Sequence, residues 1–128
     1  MLKPQFLLTH KIPIVITRRT QDTYVDGDLV EGTTSTLTIQ GNVQPLKDYE
    51  LMQLPESERT RDWQKVYTAE EMRSEVEGDG GWGADTFLWE SMEDGKTYTY
   101  RVMKVRRYKM GILDHWRAFC ARESLTPN

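Results

Sequence analysis

The chain has 128 residues, of which 38% are hydrophobic and 29% charged, with a mean hydropathy of −0.67 and a formal net charge of −3. This length suits a single domain with one hydrophobic core, and no apolar run approaches the roughly 18 residues needed to cross a bilayer. The single cysteine, Cys120, excludes an internal disulfide framework and a cysteine-based zinc cluster.

The N-terminal stretch, residues 1–16, is apolar in character but makes a poor signal peptide. Basic residues, a histidine and prolines interrupt it, namely Lys3, Pro4, His10, Lys11 and Pro13. We therefore expect the protein to be made in the cytoplasm.

Charge is distributed unevenly along the chain. Residues 1–43 carry four acids and four bases, residues 44–94 fourteen acids and five bases, and residues 96–122 eight bases and one acid. Three interpretations are open. The basic part contacts nucleic acid phosphates, the acidic part of one copy meets the basic part of the next in a ring, or the charges cancel locally on a solvated surface.

The first half of the chain has the pattern of β-strands. Residues 12–17 place apolar side chains at every second position, as a half-buried strand does. Asp26-Gly27 predicts a tight hairpin turn. Residues 33–43 continue as a long strand with apolar side chains on one face, namely Leu37, Ile39 and Val43, and Gly41 suggests a bulge there.

The segment that follows, residues 44–62, has more charge and helical character than a simple connection needs. Asp48 is a suitable N-cap for a short helix that Pro55 ends, and Leu51 and Leu54 share its face. Pro55 can also open a second single turn.

The second half returns to strands, at residues 63–67 and 86–89 and again after the Asp94-Gly95 turn. In that last strand Tyr98, Tyr100 and Val102 share a face before the pattern shifts to Met103 and Val105, which indicates a bulge or a strand buried on both sides. The ambiguous segment 114–123 is interpreted as a strand that pairs with residues 97–106. The glycine-rich stretch 76–85 is predicted to be a flexible loop in which Trp82 either anchors a partner or covers the core.

Together these elements predict a mainly β protein. We expect one domain over residues 1–128, a small antiparallel β-barrel or sandwich with a long central loop that carries short helical turns.

Sequence motifs for catalysis are missing. On a strand His115 and Cys120 face opposite sides, which disfavours a Cys–His dyad, and the glycine-rich loop lacks the Gly-Lys-Ser/Thr ending of a P-loop. Asp26-Gly27-Asp28 lacks the remaining ligands of an EF-hand. The sequence thus predicts no enzyme, with no catalytic residue, metal site or cofactor.

Two stretches carry a resemblance to a known family. Residues 39–68, IQGNVQPLKDYELMQLPESERTRDWQKVYT, combine a strand ending in Gly-Asn-Val-Gln-Pro, a Leu-Pro-Glu turn, Arg-Thr-Arg-Asp and another strand. Residues 85–123 combine an aspartate-led strand, a Gly-Lys-x-Tyr turn and a Gly-Ile-x-x-His-aromatic segment. This order resembles the head-closure (stopper, neck or collar) group of head–tail connector proteins of tailed bacteriophages. The stretch SEVEGDGGWG, residues 74–83, departs from it in being longer and richer in glycine.

The resemblance implies a structural protein of the virion neck. Such a protein forms a homo-oligomeric ring with a portal or adaptor ring above it and a tail terminator or tail tube below it. It closes the DNA-filled head and lets double-stranded DNA pass through its lumen without sequence-specific binding, with no membrane involved. A tail-completion or terminator protein and an OB-like nucleic-acid-binding module are the alternatives, and residues 98–108 would form the binding face of the latter.

Under this resemblance we expect residues 44–62 to form a protruding arm that packs on a neighbouring subunit or ring. Its expected anchors are apolar and arginine side chains, Leu46, Tyr49, Leu51, Leu54, Arg59 and Arg61, with Trp82 as a further contact. In the alternative, the arm only caps its own barrel, with the leucines in the core.

Overall fold

The computed structural model describes residues 11–20, 23–30, 32–77, 81–91, 93–110 and 113–123. These ranges contain strands β1 (Ile12–Arg19), β2 (Thr23–Val25), β3 (Asp28–Val30), β4 (Thr34–Pro45), β5 (Trp63–Thr68), β6 (Thr86–Glu90), β7 (Thr97–Met110) and β8 (Leu113–Arg122), with helix α1 (Asp48–Leu51) and a 3₁₀ turn (Glu56–Glu58) between β4 and β5. The predicted mainly β class is confirmed.

Six of the strands close into an antiparallel barrel in the order β1-β4-β5-β8-β7-β6. The long strand β4 pairs with β1 as far as Gly41 and with β5 from Gly41 onward. The barrel closes through a short β1–β6 pairing, in which Ile16 lies opposite Phe87 and Thr17 opposite Thr86. The expectation of a small antiparallel barrel is therefore correct.

The core fills the inside of this barrel with alternate residues of each strand. Its main members are Ile14, Ile16, Ile39, Val66, Met72, Phe87, Tyr98, Tyr100, Val102, Ala118 and Cys120. Leu37 and Val43 pack against this cluster and are partly buried. The period of two seen in the sequence thus identifies the inner faces of β1, β4 and β7.

The predicted bulge at Gly41 is wrong, since the strand register runs through this residue without a shift. Gly41 instead allows close packing between β4 and its neighbours. A Cβ atom there would lie 3.1 Å from the carbonyl oxygen of Tyr67 and 3.2 Å from side-chain atoms of Ile14 and Val66. A register shift does occur in β7, between Val102 and Lys104, which is the first of the two alternatives that the change of apolar pattern left open.

The segment predicted with some ambiguity near the C-terminus is a strand. β8 pairs with β5 from Trp116 to Ala121 and with β7 along its full length. The β7–β8 pairing reaches Met110 and Leu113, so this hairpin extends beyond the end of β5.

The chain between β1 and β4 forms a second, separate sheet of β2 and β3. The turn residues Asp26 and Gly27 have φ angles of 52° and 84°, which fit a type I′ hairpin turn. Every residue from 24 to 30 is exposed. The predicted hairpin is thus present, and it stands outside the barrel.

The loop between β5 and β6 closes one end of the barrel. Met72 is buried in the core. Asp85, fully buried, accepts two hydrogen bonds from the Arg18 guanidinium, at 3.0 Å and 2.9 Å, and one from the backbone N–H of Arg73 at 2.8 Å. Because a buried carboxylate needs such partners, Asp85 fixes both ends of the loop to β1.

A second buried carboxylate, Asp62, lies beside the start of β5. It accepts hydrogen bonds from Ser91 Oγ at 2.6 Å and from Tyr100 Oη at 2.8 Å. Burial, followed by the hydrogen bond to Asp62, raises the pKa of Tyr100 well above its ordinary value. The phenol therefore stays protonated and acts as a structural donor.

Candidate subunit interface

The 44–62 segment leaves β4, forms α1 and the 3₁₀ turn, and enters β5. The N-cap of α1 is Lys47 rather than the predicted Asp48, and the backbone N–H of Lys47 donates to Glu50 Oε1 at 3.0 Å. The helix ends at Leu51, and Pro55 precedes the 3₁₀ turn as the sequence indicated.

A buried cluster of charges joins this segment to the barrel wall. The Nζ of Lys65 on β5 lies 2.7 Å from Glu50 Oε1, and the two side chains are 3% and 4% exposed. Arg117 on β8 lies 3.8 Å from Glu50 Oε2. Burial penalises each charge, but three charged groups of mixed sign compensate one another within the cluster.

The pKa values of the cluster follow from these contacts. Burial by itself raises the pKa of Glu50, but the hydrogen bonds from Lys65 and Lys47 and the positive charges of Lys65 and Arg117 bring that pKa below its ordinary value. Burial likewise opposes the charge of Lys65, and its hydrogen bond to Glu50 leads the contributions that raise the Lys65 pKa above its ordinary value. Both groups are therefore charged at neutral pH.

The two arginines expected to reach a partner are bonded within their own chain. Arg59 donates to the carbonyl oxygens of Leu54 and Met52, each at 3.0 Å. Arg61 donates to Glu58 Oε2 at 3.0 Å and to the carbonyl oxygen of Arg122 at 3.1 Å. Both side chains therefore hold the segment in place.

The apolar residues of the segment divide into two groups. Leu46, Leu51 and Leu54 are half-buried and lie outside the core cluster. Tyr49 is 61% and Met52 66% exposed. The segment thus covers the outside of its own barrel, as the alternative interpretation expected, but its leucines do not enter the core, and Tyr49 and Met52 point outward. Met52 was not among the predicted anchors, because its position does not match the three-residue spacing of Leu51 and Leu54.

Trp82 belongs to the loop that closes the barrel. Its backbone exchanges two hydrogen bonds of 3.0 Å with Val76, and its indole N–H donates to the carbonyl oxygen of Ser74 at 2.9 Å. The guanidinium of Arg73 lies 4.7 Å from the centre of its ring. The half-buried indole therefore packs within its own loop, whose residues 78–80 lie outside the described residues. The structure does not bring Trp82 together with the 44–62 segment.

Some of the charge asymmetry cancels within the chain. Three bases of the 96–122 region form ion pairs with acids of the 44–94 region, namely Arg101 with Glu75, Arg117 with Glu50 and Arg122 with Glu93. Lys104 and Arg106 on β7 remain exposed. The local-cancellation interpretation thus accounts for part of the basic block and leaves a basic face on β7.

The groups of interest for chemistry are dispersed. Cys120 is buried in the core, and burial raises the pKa of its thiol, so the thiol is protonated and shielded from solvent. His115 lies beside Tyr67, with 6.4 Å between ring centres, while His10 falls outside the described residues. In the described ranges no three His, Cys, Asp or Glu side chains gather to bind a metal ion. No described helix is long and apolar enough to span a membrane.

No protein-family model matches the chain, and no curated protein matches it.

Proposed function

We propose that this protein is a structural subunit of the neck of a tailed bacteriophage. Copies form a ring between the portal or adaptor and the tail, close the DNA-filled head and let DNA pass on ejection. The protein has its place in the virion at the head–tail junction.

The observation that carries this proposal is the position of the resembling stretches in the barrel. Residues 39–68 supply the second half of β4 and all of β5, and residues 85–123 supply β6, β7 and β8. In the barrel these strands are consecutive, in the order β4-β5-β8-β7-β6. The resemblance therefore covers every strand of the barrel except β1 and the first half of β4.

The 44–62 segment supports a contact with an adjacent ring. Its backbone is fixed by Arg59, Arg61 and the Glu50 cluster, so the exposed side chains of Tyr49 and Met52 are presented on a preorganised support. Exposed aromatic and methionine side chains on a fixed surface are typical of interface centres.

The OB-like alternative loses two of the aromatic side chains of its proposed stacking face. Tyr98 and Tyr100 are 4% and 0% exposed, because both point into the barrel. Base stacking requires aromatic faces that the nucleic acid can reach. Among the described side chains of residues 98–108, the exposed bases Lys104 and Arg106 still favour this alternative.

A genetic experiment tests the proposal directly. In the phage whose genome encodes this chain, a stop codon early in its coding sequence is expected to give filled heads that lose DNA and carry no tails, as seen by electron microscopy. Expression of the protein in trans is expected to restore infectious particles. Intact, tailed virions made without the protein would exclude a role in the neck.

A further inference from the structure

The β2–β3 hairpin is an exposed apolar element that pairs with no other described strand. Its exposed fractions are 77% for Tyr24, 53% for Val25, 53% for Leu29 and 47% for Val30. Tyr24 and Leu29 lie opposite each other across the two strands, so they share one face. An isolated two-stranded hairpin is barely stable in water, and clustered exposed apolar side chains mark a contact surface.

The hairpin is also acidic. Residues 20–31 contain four acids and no base. Asp26, in the turn, and Asp28, at the start of β3, are exposed, and neither forms an ion pair with any residue that the structure describes. A partner for this hairpin should therefore be basic and partly apolar.

Strand β7 has the matching character. Residues 96–113 contain six bases and no acid. Lys104 and Arg106 are exposed on the outer face of the strand. Beside them, Met103 is 42% exposed, and the half-buried Phe119 lies opposite Lys104 on β8. This outer face thus combines positive charge with apolar side chains.

One edge of β7 is also left uncovered by the described strands beyond Val102. On the side away from β8, β6 pairs with it only between Thr97 and Arg101. From Met103 to Met110 no strand within the described ranges pairs with that side. An open edge accepts a strand from another chain through backbone hydrogen bonds.

The topology places donor and acceptor in a head-to-tail arrangement. β1 and β4, which carry the hairpin, are neighbours in the barrel, and β7 and β8 are neighbours on the other side, with β5 and β6 between the two pairs. Following the antiparallel pairings, β1 and β7 run in the same direction, so both hairpins emerge at the same end of the barrel. Two different surfaces on opposite sides of one subunit produce a heterologous contact, which forms a ring when the rotation between successive copies closes.

We propose that the β2–β3 hairpin of one copy of this chain binds the outer face and open edge of β7 on a second copy. Asp26 and Asp28 pair with Lys104 and Arg106, and the Tyr24–Leu29 face packs on apolar side chains of the β7–β8 wall. The inference rests on the proposed function, because it names the lateral contact of the proposed ring.

Charge-reversal variants of the full-length chain test this contact. The first carries Asp26→Asn and Asp28→Lys, since Asn keeps the positive φ that the turn requires. The second carries Lys104→Glu and Arg106→Glu. A control with Glu77→Gln and Glu90→Lys makes the same charge change as the first variant at exposed sites elsewhere. Association is measured by native mass spectrometry and sedimentation at low and physiological ionic strength.

The expected pattern is specific to a complementary contact. Each variant alone should self-associate at least about tenfold more weakly than the native chain, because like charges then face each other. The control should associate normally. Mixing the two variants should restore assembly, since each reversed hairpin now meets a reversed β7 face, and the subunits should alternate.

Failure of the hairpin contact can be distinguished from failure of the proposed function. If the native chain assembles and the hairpin variant assembles equally well, the hairpin contact is excluded and the neck proposal stands, with another surface joining the subunits. If the native chain stays monomeric at every concentration and also in the presence of the purified portal ring, both the contact and the proposed function are overturned.

Discussion

Glu50 is the residue whose charge most directly links the 44–62 segment to the barrel. Replacing it by Gln leaves the buried Lys65 without this counter-charge and removes the 3.8 Å ion pair with Arg117. Removing one partner from a buried ion pair costs about 3–5 kcal/mol, so we expect a loss of this order in the free energy of unfolding at neutral pH, measured with urea. Glu58→Gln, which removes only the half-exposed pair with Arg61, should cost about 1 kcal/mol or less.

The same pair predicts how stability depends on pH. The pKa of Glu50 is lower in the folded chain than in the unfolded chain, so its contribution is present above the unfolded pKa of about 4.3 and is lost as the pH falls through the folded pKa. The pKa of Lys65 is raised, so its contribution persists below about pH 10 and is lost as the pH rises through the folded pKa. The gap in stability between the native chain and Glu50→Gln should therefore narrow toward about pH 3. An equal gap at neutral and acidic pH would contradict the charge argument.

Gly41 provides a second prediction at the scale of one residue. A methyl group there would meet backbone and side-chain atoms of β1 and β5 at 3.1–3.2 Å. Overpacking of this kind costs about 1–3 kcal/mol, so Gly41→Ala should lower the free energy of unfolding by that amount. Gly83→Ala is the matched control, because its nearest contacts, to Arg19, are at 3.6 Å and 3.7 Å, and its effect should stay within about 0.5 kcal/mol. If Gly41→Ala and Gly83→Ala are equally stable, close packing is not the role of Gly41.

Individual residues also show where sequence reasoning stops. The inward faces of β1 and β7 were predictable because burial of one side of a strand enforces a period of two. The partnership of Arg18 with Asp85 was not, since the residues are 67 positions apart and only the closed barrel brings them together. Lys65 and Glu50 belong to charged stretches that suggest solvated surfaces, and their burial depends on how the 44–62 segment folds back over β5.

At the scale of elements, the sequence predicted the existence of the strands better than the course of the connections. Turn signals at Asp26-Gly27 and Asp94-Gly95 specify local geometry by themselves, and Gly95 adopts the positive φ of 72° that such a turn uses. The course of the 44–62 segment depends on hydrogen bonds to strands that the fold brings beside it. Trp63 Nε1 at the start of β5 donates to the carbonyl oxygen of Glu58 at 2.7 Å, and Arg61 donates to the carbonyl oxygen of Arg122 on the distant β8. Such contacts leave no periodic pattern in the sequence.

The exposed side chains of the 44–62 segment permit a test of the proposed contact with an adjacent ring. Tyr49→Ala and Met52→Ala should each change the free energy of unfolding by no more than about 0.5 kcal/mol, because both side chains are largely in solvent. Each should nevertheless weaken binding to the portal or adaptor ring, measured by co-sedimentation. Gln53→Ala, at an exposed polar position next to Met52, serves as the control. If a chain that carries both Tyr49→Ala and Met52→Ala binds the ring as well as the native chain does, the 44–62 segment only covers its own barrel. Arg61→Ala is unsuitable, because Arg61 bonds to Glu58 and to the backbone of Arg122.

For the whole molecule, the proposed function connects the distribution of charge with assembly and with passage of DNA. Arg101, Arg117 and Arg122 are compensated by acids of the same chain. In the proposed ring, Lys104 and Arg106 face the acidic hairpin of the next copy. Assembly thus covers the basic surface that would otherwise retain phosphates, and a conduit that does not bind its cargo allows faster passage.

This arrangement predicts weak binding of duplex DNA. With a net charge of −3, the native chain should bind a DNA duplex no more tightly than about 10⁻⁴ M at physiological salt, measured by fluorescence anisotropy over a salt series. Residual binding at low salt should come from β7, so Lys104→Glu with Arg106→Glu should abolish it, while Glu77→Gln with Glu90→Lys should not reduce it. Micromolar, salt-sensitive binding at physiological ionic strength would favour a nucleic-acid-binding module instead. In that case phosphate contacts along β7, rather than stacking on Tyr98 and Tyr100, would have to provide the affinity, because both rings are inside the barrel.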